Sequence, residues 1–184
     1  WGRFWIYLRD VLASPAYVMA DTQAILAANP ILSDLKVKVN DTGLAHTRVW
    51  SFPRSNESHA VILQMPGHTT VLPLPQSVAF REARITGGVA PAAAAHPVYP
   101  GHPHPAPAPH LQAVAGARYL IIMGSDRVSS SLWFHSYKFA EGQLLEAPEV
   151  FASLPAFFTQ NVSGTASFSG NDIVLSVQPP AAPK

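Results

Sequence analysis

Residues 91–110, PAAAAHPVYPGHPHPAPAPH, fit neither a helix nor the middle of a sheet. Seven prolines in twenty residues remove backbone donors and hold φ near the polyproline II value. The six alanines and four histidines among them carry no formal charge and supply almost nothing large to bury. Strand signal lies on both sides of this stretch and all helical signal precedes it. It therefore reads as a surface excursion, an insertion over 87–110 within a single β domain spanning 31–178. A helical segment, 1–30, precedes that domain, and a frayed tail, 179–184, follows it. A loop this long is uncommon unless it is functional or disordered, and its lack of charge suits a segment laid against a neighbour.

The helical segment has two parts. In WGRFWIYLRDVL, Trp1, Phe4, Trp5, Leu8 and Leu12 recur at helical spacing. Ser14-Pro15 then supplies an N-cap and a proline suited to the first helical turn. Asn29-Pro30 marks a stop, so a second helix, apolar nearly all round, is predicted between them. From Leu35 the period becomes two. Strands are predicted over 35–39, 44–52, 61–65, 69–74, 76–85, 118–123, 132–139 and 143–145. A last hairpin is predicted from 165–168 and 173–177. The turns are Asn40–Gly43, Pro66-Gly67 and Glu141-Gly142. The fold class is thus mainly β: an antiparallel β-sandwich or packed sheet with two N-terminal helices.

The runs RYLIIMGSD, LWFHSYKF and EGQL resemble strands of a β-propeller blade. This likeness implies, as the alternative fold, a propeller fragment, because a closed propeller needs at least four four-stranded blades.

Composition narrows the function. Charged residues are 12% of the chain, about half the usual share of roughly 25%. A surface so poor in charge is expected to be covered by partners or otherwise solubilised. Net charge is +1 and no Lys/Arg cluster exists, so nucleic acid is not an expected partner. Cysteine is absent, which removes disulfides, thiolate metal sites and a cysteine nucleophile. No apolar run reaches the roughly 18 residues of a membrane span. No secretory signal is found, and a chain that opens on Trp1 is expected to be processed or incompletely represented.

The candidate sites follow from the same residues. Trp1, Phe4, Trp5 and Leu8 form an aromatic anchor suited to another protein subunit, a second copy, or a membrane surface. Trp133 and Tyr137, on one face of a strand with His135, are candidate ligand-stacking residues. Three of the five asparagines, Asn40, Asn56 and Asn161, sit in N-x-S/T sequons where turns are predicted, so they are candidate N-glycosylation sites. His96, His102, His104 and His110 resemble weak metal-binding tracts. Their stiff backbone, without a nearby carboxylate, does not converge ligands, so no metal or cofactor is expected. Glu141, Glu146 and Glu149 read as solvated loop charges. Nucleophile elbows, phosphate loops and H-E-x-x-H are absent.

These features lead to an expected non-enzymatic structural or accessory subunit of a larger extracytoplasmic or membrane-associated assembly. It would be secreted or otherwise exported, and would act through apolar and aromatic protein–protein contacts. The first alternative is a carbohydrate- or ligand-binding β module using Trp133 and Tyr137. The second is a hydrolase with a scattered site, built on His135 with Asp126.

Overall fold

The computed structural model describes residues 2–52, 60–87, 117–128, 131–151, 164–169 and 172–177. Trp1, Asn56, Asn161, the Pro/His stretch and the 179–184 tail lie outside them. The protein is mainly β, with antiparallel sheets and helices gathered at its N-terminal end. It divides into two compact units, 1–83 and 84–184. This division differs from the predicted one, because the helices share a core with the first strands and do not form a segment of their own.

The first unit begins with α1 (Gly2–Leu12), α2 (Pro15–Met19), α3 (Thr22–Ala28) and α4 (Pro30–Asp34). The predicted second helix is thus two short ones, α2 and α3, and α4 follows beyond its predicted stop. Ser14 caps α2, its Oγ accepting from the Tyr17 amide. Asp21 interrupts the run: its carboxylate accepts from the Ala24 amide at 2.8 Å and caps a new start. A side chain that competes for backbone donors broke a run whose apolar pattern was continuous. Asn29 ends α3 as predicted, yet Pro30 sits in the first turn of α4, where its missing N–H costs nothing.

A four-stranded antiparallel meander follows: β1 (Lys38–Asp41), β2 (Arg48–Ser51), β3 (Ala60–Met65) and β4 (His68–Pro73), paired in that order. β1 starts later than the alternation of 35–39 predicts, because Lys36 has φ 52° and breaks extended backbone before it. Pro66 precedes Gly67 at φ 73° between β3 and β4, the residue pattern of a type II turn.

Trp50, Ile62 and Ala60 on the sheet pack with Trp5, Leu8 and Leu12 of α1, Ile25 of α3 and Leu32 of α4. Within this core lies Gln64, 0% exposed. Its Oε1 accepts from Trp50 Nε1 at 2.9 Å, and its Nε2 donates to the Leu12 carbonyl at 2.7 Å. One amide therefore satisfies an indole on the sheet and a terminal carbonyl of α1.

β5 (Val78–Gly87) carries the boundary between the units. It heads a second four-stranded sheet with β6 (Arg118–Asp126), β7 (Leu132–Ala140) and β8 (Gln143–Glu146). Each four-stranded sheet has the strand number of a propeller blade, and the described residues hold two. A 3₁₀ turn (Pro148–Phe151) and the hairpin β9 (Gly164–Ser169) with β10 (Asp172–Val177) complete the second unit. Tyr119, Ile121 and Met123 of β6 share a core with Leu132 of β7, Val150, and Ile173 and Leu175 of β10.

Replacing Gln64 with leucine strands two buried polar groups at about 1–3 kcal/mol each. Urea denaturation should show a loss of roughly 2–6 kcal/mol. Adding Trp50→Phe to Gln64→Leu should then cost less than adding it to the native protein. An equal cost in both backgrounds would mean that the indole–amide bond contributes nothing.

Candidate functional site

The predicted anchor in α1 is turned inward. Trp5 is 7% and Leu8 4% exposed, and Phe4 is half-buried against their core. Phe4, Trp5 and Phe52 pack edge to face, with ring centroids 5.0–6.0 Å apart. Trp5 and Leu8 therefore cannot carry a partner contact while the unit is folded. The period-3.6 stripe that suggested an anchor is the face that α1 gives to its own core. The opposite face exposes Arg3, Ile6, Tyr7 and Asp10.

On β7, the period of two places Trp133, His135 and Tyr137 on one side. Their register partners on β6 are Gly124, Ile122 and Leu120. Trp133 and His135 stack almost parallel, 3° apart with centroids 5.6 Å apart. Tyr137 meets the imidazole edge-on at 4.7 Å. Trp133 thus already has the His135 ring along one face, and Tyr137 is only 6% exposed. Tyr137 therefore does not present the free ring expected of a sugar-stacking pair, and one face of Trp133 is taken by His135.

The acid beside His135 is Glu146. Its Oε1 lies 3.6 Å from His135 Nε2, too long for a hydrogen bond, and that nitrogen is buried without a partner. Glu146 is on β8, opposite Tyr137, and is not the loop charge the sequence reading expected. Asp126 is elsewhere. Ile122 faces His135 in the ladder, and Asp126 lies four residues further along β6, roughly 13 Å at 3.3 Å per residue. Its Oδ1 accepts from the Val128 amide at 2.9 Å. The proposed His135/Asp126 pair is therefore not assembled. Ser136, next to the histidine, points to the other face of the strand, and its Oγ donates to the Ala147 carbonyl at 2.6 Å. A histidine and an acid are close here, but that hydroxyl is not available to them.

The register that creates this contact was present in the sequence. A two-residue turn at Glu141-Gly142 pairs Ala140 with Gln143 and hence Tyr137 with Glu146. Both turn residues have positive φ, 49° and 77°, as a type I′ turn requires.

Of the three sequons, Asn40 is the one described. It lies in β1 opposite Val49, not in the predicted turn. Its Oδ1 accepts from the Ala83 amide at 2.7 Å, while buried Thr42 donates from Oγ1 to the Thr47 carbonyl. Both side chains of this sequon have structural partners in the folded chain. Among the described residues no three His, Asp or Glu side chains are grouped to hold a metal ion, and no helix is long and apolar enough to cross a membrane. No protein-family model matches the chain, and no curated protein or solved structure is significantly similar to it.

Burial, and then the neighbouring Glu146 carboxylate, push the Tyr137 phenol up to about 12 from its usual 10. Below pH 10 both folded and unfolded chains keep the proton. Between about pH 10 and 12 the unfolded chain loses it first, so this residue makes stability fall as pH rises through that window. Ultraviolet titration should show one of the five tyrosines ionising near pH 12. Tyr137→Phe should remove both that step and its share of the alkaline loss of stability.

Proposed function

We propose that this protein is a non-enzymatic structural or accessory subunit of a larger assembly, extracytoplasmic or membrane-associated, that acts by apolar protein–protein contact. The observation that carries the reading is the outside of the helical layer. Ile6 is 51%, Tyr7 70%, Met19 60% and Ile31 69% exposed. These four large apolar side chains lie on α1, α2 and α4, in a chain with half the usual charge. The contact thus moves from Phe4, Trp5 and Leu8 to the opposite side of the same helix, with Ile6 and Tyr7 as its proposed centre. Tyrosine suits such a role because it buries much area at little entropic cost and keeps a polar tip for the rim.

A ligand-binding role for Trp133 and Tyr137 is less well supported, since burial of Tyr137 and the His135 stack leave little ring surface for a ligand.

Self-association is the accessible form of this contact. Light scattering coupled to size exclusion should show the unglycosylated chain gaining mass as concentration rises. The double variant Ile6→Lys, Tyr7→Lys should return it to the monomer mass. A native chain that stays monomeric at every concentration would overturn the reading.

A further inference from the structure

A cleft of about 400 Å³ opens in the first unit, lined by Thr22, Val39, Asp41, His46, Thr47 and Arg48 among others. Its wall includes a buried cation. Arg48 is 8% exposed, and its Nη2 donates to the carbonyls of Val18 and Ala20. Its Nη1 is buried and has no partner. No carboxylate forms an ion pair with it among the described residues. Asp41 faces it across the β1–β2 ladder, but the Asp41 Oδ1 accepts from the Gly43 amide at 2.8 Å. A guanidinium is always charged, and a buried one is ordinarily paired. Here its position is fixed by two carbonyls, which carry no compensating charge, while one side of the fork is unused.

We propose that this cleft binds a short aliphatic monocarboxylate, with Arg48 Nη1 as the donor to its carboxylate. Three features select that chemistry. The unused N–H and the uncompensated charge call for an anion that accepts planar, charge-assisted hydrogen bonds. The exposed Asp41 on the same wall repels a second negative charge, which favours a monocarboxylate over a phosphate or dicarboxylate. Val39, Leu44 and Ala45 line the cleft as well, offering apolar surface to a short chain. The turn above carries His46 at φ 55°, a left-handed conformation that a non-glycine residue rarely adopts. Such strain is often kept at ligand sites. Nη1 is buried, so the proposed ligand must displace whatever covers it, while the two Nη2 bonds hold the guanidinium in place.

This inference is independent of the apolar docking face and survives its failure. The test uses the intact chain and sodium butyrate, followed by nitrogen-15 NMR of the arginine side chains. Saturable movement of the Arg48 guanidinium signals is expected, with inorganic phosphate and chloride at matched ionic strength leaving them in place. Asp41→Asn removes the like charge yet keeps an acceptor for the Gly43 amide. It should tighten butyrate binding roughly fivefold. Arg48 signals that do not move with butyrate, or that move equally with phosphate or chloride, would overturn the site. So would unchanged affinity in Asp41→Asn.

Discussion

The first unit depends on one buried side-chain amide. Gln64 bonds an indole on the sheet and a carbonyl at the end of α1, so helix and sheet share a polar contact within an apolar core. Apolar packing alone is non-directional and tolerates sliding of a helix over a sheet. A fully satisfied amide does not, because any shift leaves buried polar atoms unpaired. The inward turn of Trp5 and Leu8, and the outward turn of Ile6 and Tyr7, follow from α1 being held in that single orientation.

Most strands were legible from the chain. β3, β7, β8 and the β9–β10 hairpin stand where alternation and turn chemistry put them, since both are local properties. The misreadings have specific causes. The apolar run after Pro15 hid the cap made by Asp21, a choice between backbone and side-chain hydrogen bonding that hydropathy does not record. Lys36 delayed β1 through a backbone conformation that its side chain does not announce. For the candidate sites, periodicity located the faces of α1 and β7 but not their exposure. An aromatic stripe has the same spacing whether it meets a partner or its own core, and only long-range packing against Phe52 and Trp50 distinguishes the two.

Arg48 was invisible for a related reason. As a sequence element it is one charged residue near the start of a strand, with nothing to mark it as buried. Its character comes from the carbonyls of Val18 and Ala20, far off along the chain. The His135–Glu146 approach is intermediate: it depends on register, which the two-residue turn specifies.

The second unit closes its core with its last hairpin. Ile173 and Leu175 of β10 pack with Tyr119, Ile121 and Met123 of β6. Synthesis runs from the N-terminus, so β6 leaves the ribosome well before the strand that covers it. Until then its apolar face is open, and a bare, strongly hydrophobic strand invites pairing with other chains. The exposed interval lengthens with every residue placed between β8 and β9. Compact packing of this unit is therefore a late event in the life of the nascent chain, and the slowest translated stretch before β10 would set how long that face stays uncovered.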